Sequence, residues 1–275
     1  MYDKIQQTVT FLRQMTNGFE PQVGAVLGSG LGGLSKGIEI EYAIPYKDIP
    51  NFPVSTVAGH KGQLLFGTIA GKRIVAMQGR FHYYEGYTTK EVTFPIRVLA
   101  ALGIRFIILS NASGGINPTF NVGDVMFISD HINLLPNPLI GPHDERLGVR
   151  FPDMGEAYNK KLMKLADAIA YSLDIDVQHG VYVGDTGPSY ETPSEYQYYR
   201  VIGGDSVGMS TTPEAIVARQ SNLPVFGVSV ISDIGGKDIE CFITHEEVIS
   251  AVVKAEPKLI AIITELIRRS DEIQF

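Results

Sequence analysis

Seven short runs of β-branched and apolar residues, each closed by glycine or by small polar residues, punctuate the chain, and longer helical patterns separate most of them. The runs are Gln22 to Leu27, Gln63 to Ile69, Arg73 to Gln78, Arg105 to Ser110, Asp124 to Ser129, Val177 to Val183 and Val225 to Ser232. Strands separated by helices pair in parallel, because a parallel neighbour needs a crossover long enough to hold a helix. Ala70-Gly71-Lys72 is too short for that and joins two runs as a hairpin. Helix starts are marked by capping boxes at Thr88 with Glu91, Thr192 with Glu195 behind Pro193, and Thr244 with Glu247, and by Thr212-Pro213-Glu214. A last helix, Glu246 to Arg268, repeats apolar residues at Val248, Val252, Ile260, Ile263 and Ile267 and is expected to pack on the sheet. The pattern predicts an α/β fold with a largely parallel sheet and one antiparallel hairpin region. No Pro/Ser-rich linker, repeat or low-complexity tract divides the 275 residues, so a single domain, 1–275, is expected.

A hydrophobic content of 44% with 19% charged residues suits one substantial core. The formal net charge of −7 and a pI near 5.4 argue against a nucleic-acid surface, which needs clustered Lys and Arg, so an anion site must be local. The lone Cys241 forms no intrachain disulfide, and Met1 to Met15 resembles an amphipathic helix (Ile5, Val9, Leu12) rather than a signal peptide. No apolar run approaches the roughly 18 residues of a membrane span, and a cytoplasmic protein without a membrane partner is expected.

The segment richest in chemistry is Gly79-Arg80-Phe81-His82-Tyr83-Tyr84-Glu85-Gly86-Tyr87, directly after the run Arg73 to Gln78. Arg offers a fixed fork of donors matched to phosphate or carboxylate, and an adjacent His adds further donors. A polar turn with aromatic filler is the alternative for any one of these residues. Gly28-Ser29-Gly30-Leu31-Gly32-Gly33 spells G-x-G-x-x-G, but Leu34 to Gly37 runs straight into the strand pattern Ile38 to Tyr42 and leaves no room for the helix of a dinucleotide site. These glycines suit a backbone nest that cradles one phosphate or sulfate with the Ser29 hydroxyl, or a plain tight turn. Ser110 to Pro118 again sets small residues at a strand's C-terminal end, where open α/β sheets gather ligands. Gly184 to Pro193 places Tyr190 and Glu191 ahead of a capped helix, an arrangement for stacking a planar ligand and accepting from its ring N–H, or an ordinary loop with a helix-terminal acid. Gly204 to Ser210 gives a short apolar strand ending in Gly208-Met209-Ser210.

In this order, Gly28 to Gly32, Gln78 to Tyr87, Asn111 to Gly115, Gly187 to Thr192 and Val207 to Thr211 resemble the trimeric class of purine nucleoside phosphorylases, over a span from about Val23 to the His245 helix. Five motifs in the right order are far more specific than any one of them. The resemblance implies one α/β domain whose mixed sheet forms a distorted barrel with a smaller sheet, flanked by helices, and a homotrimer with sites near the subunit interfaces. It implies phosphate at Ser29, His60, Arg80, His82, Ser210 and the backbone of Ala112. Ribose falls to Tyr84, Met209 and His245, and the purine to Ala112, Tyr190, Glu191, Val207 and Asp233, with His82, Glu191 and Asp233 as catalytic groups. Phe151 matches an aromatic that reaches a neighbouring subunit's sugar pocket, and His60 a residue of a flap near the phosphate; own-core packing and a solvated loop are the alternatives.

The chemistry agrees with that assignment. Phosphorolysis passes through a ribosyl cation-like state, so it needs an anion beneath C1′ and a site that accepts negative charge developing on the purine. No cofactor or metal is expected: orthophosphate is a co-substrate, and histidines 60, 82, 131, 143, 179 and 245 lack ligand spacing, with His131, His143 and His179 structural or solvated. One departure stands out, because Asp233 occupies the position where 6-oxopurine enzymes of the family carry Asn. An ionised Asp repels O6 and the charge building at N7 but accepts from the 6-amino group of adenine, whereas a protonated one donates to N7. Glu191 suits the N1–H of inosine and guanosine, so these are the expected main substrates, with measurable adenosine cleavage. A methylthioadenosine phosphorylase, which needs an apolar 5′ pocket where this chain offers His245, and a non-catalytic nucleotide-binding protein are the competing readings.

Overall fold

A computed structural model describes residues 1–28, 32–54, 61–235 and 245–275, apart from the side chains at 245–247 and 249. The expectations at Ser29, His60, Cys241, the Thr244 capping box and the His245 side chain lie outside the described residues. Helix α1 (Tyr2–Met15) buries Ile5, Val9 and Leu12 on one face, as its periodicity predicts, and leads to strand β1 (Val23–Leu27). From Gly32 to Gly37 the chain makes a 3-10 helix and then enters β2 (Glu39–Pro45), so the glycine motif does not open a dinucleotide-type unit. Strands β3 (Gln63–Ile69) and β4 (Lys72–Gln78) form the hairpin, with Ile69 paired to Lys72 across Ala70 (φ 49°) and Gly71 (φ 76°). Positive φ at both turn residues matches the right-handed twist of the flanking strands. Helices α2 (Thr89–Val92) and α3 (Phe94–Ala101) precede β5 (Phe106–Gly115) and β6 (Val125–Asn133). There follow α4 (Lys160–Ser172), β7 (Val177–Gly184), α5 (Pro193–Val201), β8 (Ser206–Gly208), α6 (Thr212–Gln220), β9 (Val225–Ile234) and α7 (His245–Arg268).

The strands form one sheet in the order β2-β3-β4-β1-β5-β8-β7-β6-β9, and β9 pairs back onto β5. That last pairing closes β5, β8, β7, β6 and β9 into a distorted barrel, from which β1, β4, β3 and β2 extend as an open wing. The sheet is more mixed than the sequence predicts: besides the β2-β3-β4 meander, β5–β8 and β6–β9 are antiparallel, and the other pairings are parallel. Alternation along β5 sends Ile107 and Leu109 to a core shared with Leu12 of α1 and Leu99 of α3. Its Phe106 and Ile108 join Leu162 of α4 and Leu259, Ile263 and Ile267 of α7 on the other face. Helix α7 packs there as expected, although Leu259 is buried where Ile260 is only partly so.

Of the strands that outrun their expected ends, two matter for the site. β5 continues past Ser110 to Gly115, because β8 and β9 supply its far half with partners: Gly114 lies opposite Val207 on one side and Asp233 on the other. β9 passes Ser232 to Ile234, which makes Asp233 a strand residue instead of the start of a loop.

Candidate active site

A cavity of about 320 Å³ is bounded by Arg80, His82, Tyr84, Ala112, Tyr190, Glu191, Val207, Met209, Ser210 and Asp233, which gathers most of the predicted site into one place. Strand β5 is its spine. Antiparallel pairing of Gly114 with Val207 runs Met209 and Ser210 back towards Asn111, while the β9 pairing holds Asp233 at Gly114. One end of the cavity therefore collects Arg80 and Ser210, the other Glu191 and Asp233.

Arg80 follows β4 and is 1% exposed. Its Nη2 and Nε lie 2.5 and 3.2 Å from the carboxylate oxygens of Glu214, and Nη1 donates to the Ser110 carbonyl at 2.5 Å. The sequence offers the guanidinium fork to an oxyanion; in the structure the Nε–Nη2 edge belongs to Glu214, in the first turn of α6. A charge this deeply buried needs a counter-ion on the protein. Thr212-Pro213-Glu214 is legible as a helix start, but no spacing rule joins it to a residue so distant in sequence. His82 is fixed by Glu85: its backbone N–H donates to Glu85 Oε1 at 2.8 Å, Nδ1 lies 3.2 Å from the same oxygen, and its ring stacks on Tyr84 with centroids 4.7 Å apart. Burial pushes the Tyr84 phenol up to about 12, so it remains a neutral hydroxyl. The Ser210 N–H donates to the Tyr182 hydroxyl at 3.3 Å, and its own hydroxyl lies 3.0 Å from Thr211 Oγ1. Thr211, the N-cap of α6, has φ 67°, a conformation that costs a β-branched residue on the order of 1–3 kcal/mol. Asn111 Nδ2 holds it through a 2.8 Å hydrogen bond to Oγ1, and this turn lets Ser210 line the cavity while Glu214 reaches Arg80.

At the other end, Glu191 precedes the N-cap of α5, where Thr192 and Glu195 form the predicted capping box. Burial, joined by the Asp233 and Asp185 charges, pushes the Glu191 carboxyl from 4.5 up to about 7. Asp233 faces the cavity and is not turned away: Oδ2 accepts from the Tyr196 hydroxyl at 3.0 Å and Oδ1 from the Ser232 hydroxyl at 2.7 Å. Tyr190, 43% exposed, sits at the rim, and Val207, 1% exposed, lies in the wall. Glu214, Tyr182, Tyr196 and Ser232 are the neighbours that sequence reasoning misses. Tyr196 in particular reads as helix filler in Ser194-Glu195-Tyr196-Gln197-Tyr198-Tyr199.

Phe151 is not brought into this cavity. It is 86% exposed, which disposes of own-core packing, and it lines a separate cavity of about 570 Å³ with His131, Arg150 and Ile216. A larger cavity of about 620 Å³, bordered by Lys90, Arg97, His143 and Arg146, contains none of the predicted site residues. His131 Nδ1 lies 3.0 Å from the Tyr158 hydroxyl, and His179 lies 2.9 Å from Asp167, both apart from the site. Among the described residues no group of three or more His, Cys, Asp or Glu could hold a metal ion, and no helix is long and apolar enough to cross a membrane.

Comparison with known proteins converges on one family. The Phosphorylase superfamily profile matches residues 22–268. The chain is 52% identical over 265 residues to purine nucleoside phosphorylase 1 of Geobacillus stearothermophilus, covering 96% of each chain. It is 46% identical over 266 residues to the purine nucleoside phosphorylase of Rattus norvegicus, covering 94% of this chain and 92% of that one. Its fold matches that of Schistosoma mansoni purine nucleoside phosphorylase in complex with adenosine with a TM-score of 0.92, at 39% identity and 97% coverage of both chains.

Proposed function

We propose the reaction of a chain that belongs to the phosphorylase superfamily and, within it, to the purine nucleoside phosphorylases: orthophosphate cleaves a purine nucleoside to the free base and ribose 1-phosphate. The observation that carries the assignment of residues is the gathering of Arg80, His82 and Ser210 with Glu191 and Asp233 in one cavity, at opposite ends of the far half of β5.

Phosphate held beside Arg80, His82, Ser210 and the Ala112 backbone is the nucleophile for C1′, and holding it there supplies effective concentration that free solution lacks. Arg80 acts through its buried positive charge, which is fixed in place by Glu214. Tyr84 and Met209 flank the sugar, Tyr190 and Val207 contact the base, Glu191 meets N1, and Asp233 meets N7 and the C6 substituent as the leaving base gains negative charge. On the motif match, Ser29 and His60 join the phosphate and His245 the ribose. Orthophosphate is itself the nucleophile, so the reading includes no cofactor. Inosine and guanosine are the main substrates, with measurable adenosine cleavage, because Glu191 favours an N1–H while Asp233 can accept from a 6-amino group. The reading takes 1–275 as one nucleoside phosphorylase domain, working in the cytoplasm as a homotrimer in which Phe151 reaches a neighbour's sugar pocket. The exposure of Phe151 supports that last point.

The test is phosphate dependence. With inosine, base release should follow phosphate concentration and yield one ribose 1-phosphate per base. Equal cleavage in phosphate-free buffer identifies a hydrolase, and no cleavage at all a binding protein.

A further inference from the structure

Tyr196 lies in the first turn of α5 with its hydroxyl donating to Asp233 Oδ2 at 3.0 Å, and the neighbouring Glu191 carboxyl acts on the same phenol. The backbone is shaped around it. A Cβ on Gly235 would meet the Tyr196 ring at 1.9 Å, and one on Gly114 would meet its hydroxyl at 2.6 Å, so only glycine at these two strand ends leaves the phenol its place. The ring is 5% exposed. A phenol has a single hydrogen, and here two carboxyl groups compete for it: the oxygen can donate to one while accepting from the other.

We infer that Tyr196 joins Glu191 and Asp233 into one unit that holds a single proton, placed on Glu191 for a 6-aminopurine and on Asp233 for a 6-oxopurine. The inference rests on the reading that both carboxyl groups face the base. At N1 and the C6 substituent the two purine classes present inverse patterns. A 6-oxopurine offers N1–H as donor and O6 and N7 as acceptors, so it needs a carboxylate at Glu191 and an acid at Asp233. A 6-aminopurine offers N1 as acceptor and the exocyclic N–H as donor, with N7 again an acceptor, so at N1 and the C6 substituent it calls for the acid at Glu191 and the carboxylate at Asp233. Conversion moves one proton through the phenol: Glu191 gives its proton to the Tyr196 oxygen as Tyr196 gives its own to Asp233. Glu191 becomes the carboxylate, Asp233 the acid, the phenol is unchanged, and the net charge of the unit stays at minus one.

Ser232 adapts to either form, since its hydroxyl lies 2.7 Å from Asp233 Oδ1 and 3.1 Å from the Ser113 carbonyl and can donate to either. Burial and the two neighbouring carboxylates hold the Tyr196 phenol far above its ordinary range, so it bridges without ionising. Among the described residues, the other titratable groups coupled to Glu191 and Tyr196 are Asp185, Tyr190 and Tyr199, none of them a cation, so a second full negative charge beside the first is disfavoured by like-charge repulsion. Tyr196 is thus a positioning residue, acting on the base through the two carboxyl groups.

The experiment is the pH dependence of kcat/KM for inosine and adenosine, from about pH 5.5 to 8. Because both substrates require the same singly protonated unit, the wild-type profiles should share their limbs and keep a constant ratio; the ionisation of phosphate is common to both and cancels. A ratio that moves monotonically with pH overturns the inference without recourse to any variant. Tyr196→Phe keeps the ring and removes the bridge, which stabilises the singly protonated unit over the empty and doubly protonated ones. It should lower the peak about tenfold for both substrates and narrow both profiles. A fall with unchanged width marks mere packing and overturns it. Asp233→Asn supplies a permanent donor, so in that background Tyr196→Phe should change inosine kcat/KM less than about twofold. An equal effect of Tyr196→Phe in both backgrounds is a second refutation. If Asp233→Asn alone leaves both substrates and their profiles unaltered, position 233 does not read the base, and the premise falls together with the inference.

Discussion

Arg80 and Glu214 are 1% and 2% exposed and form an ion pair, so truncating either strips a buried charge of its counter-ion. Arg80→Ala is therefore expected to lose about 3–5 kcal/mol of stability as well as most of its activity. Urea unfolding measures the first, and kcat/KM at subsaturating phosphate the second. Activity within about threefold of wild type sinks the phosphate assignment. Glu191 makes the opposite trade. Its carboxyl keeps its proton to about 7 in the folded chain but releases it near 4.5 when unfolded, so between these values the native state binds more protons and stability falls as pH rises. The cost is on the order of 3 kcal/mol at and above neutral pH. Glu191→Gln should thus raise Tm by about 5 °C near pH 8 and little near pH 4.5, while damaging catalysis. An equal shift at both pH values in thermal melts excludes titration as the cause.

The elements with local signals are the ones the sequence reveals. The Thr88 and Thr192 capping boxes, the α1 stripe and the β3–β4 hairpin are all written within a few neighbouring residues, and the structure places them where that writing says. What local pattern cannot show is partnership. Ser110 to Gly115 looks like a loop because Ser, Asn and Gly are poor strand formers, yet it is strand because β8 and β9 flank it. The same holds in the site: Arg80, His82, Glu191 and Asp233 stand out as chemistry, whereas Glu214 and Tyr196, which hold them, are ordinary helix residues by sequence. The hairpin turn also carries a correctable flaw, because Ala70 sits at φ 49°. Ala70→Gly should stabilise by up to about 1 kcal/mol with kcat/KM unchanged. A lower midpoint in urea would show that backbone freedom gained in the unfolded chain outweighs the strain relieved.

At the scale of the molecule, Phe151 is exposed where a buried aromatic would be ordinary, and the proposed trimer gives that ring a place. Light scattering should give three times the 30.1 kDa of one chain at assay concentration; an active species of single-chain mass counts against it. Phe151→Ala should raise KM for the nucleoside about tenfold while leaving the unfolding of the isolated protomer within about 0.5 kcal/mol, since the ring packs against little within its own chain.

The far half of strand β5 leads from Ser110, whose carbonyl holds Arg80, to Gly114, which lies opposite Asp233. At about 3.3 Å per residue this sets the two ends of the cavity roughly 13 Å apart on one segment paired along its length to β9. Separate sites at that range contribute independently, so changes at Asp233 and at Ser210 should multiply in kcat/KM, adding in free energy to within about 0.5 kcal/mol. A double-variant cycle measures this directly. On such a scaffold a change of base preference leaves the proposed phosphate end untouched.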